Sequence, residues 1–186
     1  MPTVPDTTGP ISWLVLVYRV PSEPTRLRAA VWRRLKALGA VYLQSSVAAL
    51  PASPGAERAL RTLRNEIIEH MGGHGLLLSG VALAGEPDMV GATNEARNDE
   101  YEEIVDRCRD FLAGIDKEIA ESHFTYGELE ENDEDLAKLR GWFDKVLARD
   151  ALGAAGAKEA EAALGDCARA LDGFAARVYE ADAVSS

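Results

Sequence analysis

The apolar pattern of this chain changes its period once. Up to about residue 83, dense apolar runs alternate with single helical stripes, and beyond residue 94 only helical stripes occur. Ile11-Ser12-Trp13-Leu14-Val15-Leu16-Val17-Tyr18 is a nearly continuous apolar run, the mark of a central strand covered on one or both faces. Pro21 stops it, Ser22 is a candidate helix N-cap, and Pro24 stands where a first turn tolerates proline. Leu27, Val31, Leu35 and Leu38 recur at helical spacing, and Gly39 ends the helix. Val41-Tyr42-Leu43 and Val47-Ala48-Ala49-Leu50 flank Gln44-Ser45-Ser46 and predict a short hairpin or one bent strand. Ser53-Pro54-Gly55 opens a second helix with Leu60, Leu63, Ile67 and Met71 on one face. Gly72-Gly73-His74-Gly75 closes it, and Leu76 to Leu83 reads as a final strand. Strand, helix, strand, strand, helix, strand predicts an antiparallel four-stranded sheet with two helices on one face, the ferredoxin-like arrangement.

Gly85 to Thr93, with its Gly, Pro and Asp, reads as a linker. Three helical stripes follow: Tyr101, Ile104, Val105, Cys108, Leu112, Ile115 and Ile119; then Leu136, Leu139, Trp142, Phe143, Val146 and Leu147; then Ala160, Leu164, Cys167, Leu171, Phe174 and Val178. The second helix is predicted to open at Asn132-Asp133-Glu134-Asp135, with its acids at the positive end of the dipole. The less regular segment Ser122 to Glu131 reads as a loop. The expected organisation is α+β: a ferredoxin-like βαββαβ sheet domain over 1–84, a linker over 85–93, and a three-helix extension over 94–182. That extension would pack on the sheet domain or on a partner.

Charge divides at the same place. The 186 residues carry a formal net charge of -11, but residues 1–82 hold nine Lys+Arg against five Asp+Glu, and residues 83–186 hold 11 against 26. A front half at +4 is thus joined to a back half at -15. The asymmetry bears on partners, because the global figure alone would exclude nucleic acid. The apolar runs are far shorter than the roughly 20 residues of a membrane span. Met1 to Pro10 has no basic, apolar leader pattern, and two cysteines, Cys108 and Cys167, suit a reducing compartment. A cytoplasmic protein without a membrane partner is expected.

The run from Trp13 to Gln44 resembles the N-terminal domain of the chromate-resistance protein B (ChrB) family. So do Phe124 to Arg140, Trp142 to Asp150, and Phe174 to Glu180. The resemblance implies a chromate-responsive regulator of an efflux operon. Many members carry a further C-terminal domain, which does not follow here before Ser186. The front half also resembles the sheet domain of phenylacetate-degradation repressors and the small nuclease-like subunit of CRISPR adaptation complexes. In the latter an acidic metal ligand ends the first strand, and here that position is Arg19.

Candidate site residues follow from chemistry. Arg19, Arg26, Arg28, Arg33, Arg34 and Lys36 crowd the end of the first strand and the first helix. Guanidinium groups near a helix N-terminus suit chromate, sulfate or a DNA phosphate. The competing reading is a solvated face ion-paired to acids, although Arg19, directly after a buried strand, should need a partner. Trp13, Tyr18, Trp32 and Tyr42 are the aromatics that could stack on bases. Cys108 and Cys167 are redox candidates that also fit as small core residues. His70 and His74, even with His123, lack the spacing of a metal cluster, and the acidic run Glu128 to Asp135 lacks that of a calcium loop. No metal and no cofactor are expected. His123, Tyr126 and Glu128 are acid, base or positioning groups if the chain is an enzyme.

The leading expectation is a non-enzymatic, homodimeric regulator-type protein that senses or binds a chromate-like oxyanion, with possible DNA contact through the basic half. The alternative is a stand-alone enzyme on a small molecule, with its pocket between sheet and helices.

Overall fold

The computed structural model describes residues 9–185. The first eight residues, most of the segment in which a leader pattern was sought, lie outside them. The elements are β1 (Ser12–Arg19), α1 (Arg26–Ala37), β2 (Val41–Gln44), β3 (Val47–Pro51), α2 (Pro54–Glu69), β4 (His74–Val81), α3 (Glu86–Glu121), α4 (Tyr126–Arg149) and α5 (Ala157–Ser185). The chain divides into two units, 1–96 and 97–186.

In the first unit β1 is central. It pairs antiparallel with β3 (Leu14 opposite Leu50, Leu16 opposite Ala48) and with β4 (Val15 opposite Leu78, Val17 opposite Leu76). β2 adds to β3, so the sheet order is β2-β3-β1-β4. The two-residue period sends Leu14 and Leu16 to one face, where they join Ala48, Leu50, Val31 and Leu35 of α1, and Leu60, Leu63 and Ile67 of α2 in one buried cluster. The opposite face carries Trp13 and Ala49, which are buried, beside Val17, Leu76 and Leu78, which are exposed.

Local chemistry explains the boundaries. Ser53 caps α2 by accepting a hydrogen bond from the Ala56 amide, with Pro54 at the first helical position. α1 starts later than expected, at Arg26, because Thr25 rather than Ser22 is its N-cap. Gly39 takes the left-handed φ of 81° that ends α1. Gly73 meets a different demand: a Cβ there would collide with the Arg19 carbonyl oxygen and the Ile67 side chain. β4 starts at His74, two residues before the expected Leu76.

In the second unit α3, α4 and α5 share one core. Tyr101, Ile104, Cys108 and Ile115 meet Leu136 and Val146 of α4, and Leu164, Cys167, Phe174 and Val178 of α5. Two expectations need correction. Residues 86–93 are not an extended linker but the first two turns of α3, whose opening Glu86 and Asp88 suit the helix dipole. α4 opens at Tyr126 rather than Asn132, because Thr125 accepts a hydrogen bond from the Glu128 amide at 3.2 Å and caps the helix six residues earlier. The boundary also redistributes charge: residues 1–96 hold nine Lys+Arg against eight Asp+Glu, and 97–186 hold 11 against 23. The units stand at +1 and -12, so the basic character belongs to β1 through β4 and not to the whole first unit.

Candidate functional site

The basic residues of the front half separate into two kinds. Arg34 forms an ion pair with Glu66 that ties α1 to α2. Arg19, Arg26, Arg28 and Arg33 are exposed, and among the described residues none of them makes an ion pair. Arg19 is the correction here. It ends β1 opposite His74 on the β4 ladder and projects into solvent, so its charge needs no buried partner. Arg26 and Arg28 occupy the first turn of α1, which contains no acidic residue, and the Thr25 side chain makes no capping hydrogen bond. The α1 amides at that end therefore add their partial positive charge to two guanidinium groups.

Of the four candidate stacking aromatics, Trp32 on α1 is half exposed, at 50%. Trp13 is buried. Tyr18 and Tyr42 pack against the core, with their hydroxyls 2.8 Å apart. Burial, reinforced by Tyr18, pushes the Tyr42 phenol well above its usual range, so it stays protonated.

His123, Tyr126 and Glu128 do not converge. The His123 Nδ1 lies 3.1 Å from a Glu118 oxygen and 3.4 Å from a Glu121 oxygen. The Tyr126 hydroxyl donates to Asp182 at 3.3 Å, and its ring lies 5.9 Å from that of Tyr179. Glu128 stands in the first turn of α4 as part of the cap. Tyr126 borders a groove of about 490 Å³ with Leu129, Glu130, Asp133, Leu171 and Tyr179, and His123 and Glu128 are not among its lining residues. The acidic run from Glu130 to Asp135 is an exposed helix face, apart from the half-buried Asn132.

Cys108 of α3 and Cys167 of α5 are brought together in the second core. The Cys167 thiol donates to the Cys108 carbonyl oxygen at 3.5 Å. Both are fully buried. Burial, with Cys108 beside it, pushes the Cys167 thiol up to about 12, and burial raises Cys108 as well. The thiolate, which is the reactive form, is thereby suppressed at neutral pH.

A polar centre in the second unit was not anticipated. Arg97 is 0% exposed. One of its terminal nitrogens lies 3.1 Å from Glu100, yet none of the three guanidinium nitrogens makes a well-aligned hydrogen bond. Glu100 is instead held by Arg149, whose Nε and Nη2 donate to its two oxygens at 3.3 and 3.0 Å. Next along α4, Asp150 accepts from the Tyr101 hydroxyl at 3.1 Å and from the Gly153 and Ala154 amides. Burial lowers the affinity of Arg97 for its proton, and Glu100 opposes that shift. The available signal was position: Arg97 precedes Tyr101 by four residues and falls on the apolar stripe of α3, where a charge is out of place.

Comparison with known proteins bears out the family resemblance. Residues 28–185 match the family model described as Protein ChrB, N-terminal. Over 111 residues the chain is 29% identical to Protein ChrB of Cupriavidus metallidurans, a match that covers 60% of this chain and 30% of that protein. No solved structure matches. The helices are not of the membrane-crossing kind either, since among the described residues none is long and apolar enough to span a bilayer. The matched region takes in α1 from Arg28 onward, the sheet from β2 onward and all three C-terminal helices, and the chain belongs to the family of the ChrB N-terminal domain.

Proposed function

We propose that this chain acts in chromate resistance as a regulator-type module. It binds a tetrahedral oxyanion, either chromate or a DNA phosphate, and so supports transcriptional control of chromate efflux. One observation carries the reading. Arg26 and Arg28 stand exposed in the first turn of α1, without an acid in that turn and without a side-chain cap on its amides. Two planar guanidinium groups at the N-terminus of a helix suit an oxyanion by geometry as well as by charge. Arg19, Arg33 and Trp32 are exposed as well and offer further groups for a larger ligand. Family membership supports the biological setting. The β2-β3-β1-β4 antiparallel order with both helices on one face supports a ferredoxin-like reading of the sheet unit. With the sheet unit at +1 overall, affinity for DNA would come from this local patch and fall steeply with salt.

The test is isothermal titration of the full chain with chromate and with sulfate, together with a DNA mobility shift at graded salt. The wild-type chain should bind saturably. Replacing Arg26 and Arg28 together by Ala should weaken binding at least about tenfold, the loss expected for two charge-assisted contacts. Absence of saturable binding to all three probes at low salt would sink the proposal.

A further inference from the structure

The end of α3 gathers a second set of groups that the regulator reading does not use. Ser122 adopts a left-handed φ of 58° just past the helix. The His123 amide then donates back to the Glu118 carbonyl at 3.0 Å, and the Ser122 amide to Ile119 at 3.2 Å. This closing turn folds His123 over the last turn of α3. Its Nδ1 comes within 3.1 Å of Glu118 Oε2 and 3.4 Å of Glu121 Oε2, and the three ligand atoms lie within 4.8 Å of one another.

We propose that Glu118, Glu121 and His123 form a site for a divalent transition-metal ion of the zinc class. Ligands about 2.1 Å from a tetrahedral ion stand about 3.4 Å apart, and the two measured donor separations match that edge. One imidazole with two carboxylates is a donor set for zinc, cobalt or nickel, and three protein ligands leave a position for water or an added ligand. Among the described residues no Lys or Arg lies within ion-pair distance of Glu118 or Glu121, so no fixed cation competes for them.

The ligands are also held in place from both sides. Glu118 and Glu121 belong to the ordered last turn of α3. Directly after His123, the Phe124 ring lies 6.0 Å from that of Phe174, and the Arg177 guanidinium lies over the Phe124 ring at 5.9 Å. Thr125 then caps α4. His123, with its side chain 57% exposed, thus stands between two fixed points and can take up an ion without rearranging the chain. The site is distinct from the His70 and His74 pair, which lies at the end of α2 and the start of β4.

Titration of the chelator-stripped full chain with zinc chloride, and with cobalt for its absorption spectrum, tests the site. One equivalent should bind. His123→Ala and Glu118→Gln should each weaken binding at least about tenfold, while His74→Ala leaves it unchanged and circular dichroism shows all variants folded. The proposal is overturned if neither ion binds stoichiometrically, or if one equivalent still binds unchanged in the His123→Ala chain.

Discussion

The Tyr101 hydroxyl of α3 donates to Asp150, the residue that ends α4, across 49 positions of sequence and 3.1 Å of space. Asp150 uses its remaining acceptor capacity on the Gly153 and Ala154 amides, so one carboxylate terminates α4 and shapes the turn toward α5. Burial, with Asp150 beside it, holds the Tyr101 phenol protonated and therefore a donor throughout the neutral range. Tyr101→Phe removes one hydrogen bond and should cost about 1–2 kcal/mol in urea unfolding. Asp150→Ala strands the tyrosine and two amides together and should cost more, about 2–4 kcal/mol.

The Arg97, Glu100 and Arg149 cluster makes a sharper prediction, because its two cations are not equivalent. Arg149 holds Glu100 through two hydrogen bonds, whereas Arg97 is buried with none. Replacing a poorly bonded buried charge by an apolar side chain of similar length is often neutral or stabilising. Arg97→Met should therefore change the unfolding free energy by less than about 1 kcal/mol, or raise it, since Glu100 keeps its other partner. Arg149→Met, which removes that partner, should destabilise by about 2–4 kcal/mol. Equal losses from the two variants would contradict this division of roles.

These residues also show where sequence reasoning stops. Ser53-Pro54 announced α2 and Gly39 the end of α1, because caps and left-handed turns are local chemistry. Leu14 and Leu16 could be assigned to one face because a strand alternates. The opening of α3 was hidden by composition: Glu86-Pro87-Asp88 reads as linker, yet proline and acids are also what a first helical turn accepts. The start of α4 is legible in the capping-box spacing of Thr125 and Glu128, a signal that competes with the acidic run beyond it. The pairing of His123 with Glu118 and Glu121 depends on a left-handed Ser122 that no propensity indicates. Sequence neighbours such as His123, Tyr126 and Glu128 diverge because helix and turn geometry, not adjacency, aims side chains.

The cysteine pair predicts an alkaline weakness. A thiol whose folded pKa is raised stays protonated in the native state while the unfolded chain ionises. Stability is then fully present below the unfolded value near 9.0 and is lost as pH climbs toward the folded value of about 12 at Cys167. Unfolding midpoints should hold steady from pH 7 to about 8.5 and then fall, less so in a Cys167→Ala chain once its lower baseline is subtracted. At pH 8 a thiol reagent should label neither cysteine in the native protein and both after denaturation. Rapid native labelling would show that the second core opens far more readily than its packing implies.

The exposed part of the sheet face that carries Val17 leads to the last prediction. Leu76 and Leu78 of β4 are 55% and 48% exposed on the same face as the exposed Val17, and β4 is an edge strand of the sheet. Cross-strand pairing sets Leu76 against Val17 and Leu78 against Val15, so these side chains form a continuous apolar strip. We propose that such a strip beside an edge strand associates with a second copy. Light scattering should give a dimer mass for the wild-type chain. Leu76→Glu combined with Leu78→Lys should yield a folded monomer, because both positions already face water and the changes cost the helix-side core nothing. A wild-type monomer across the micromolar range would remove this face from the assembly, and a double variant that remains dimeric would place the contact elsewhere on the chain.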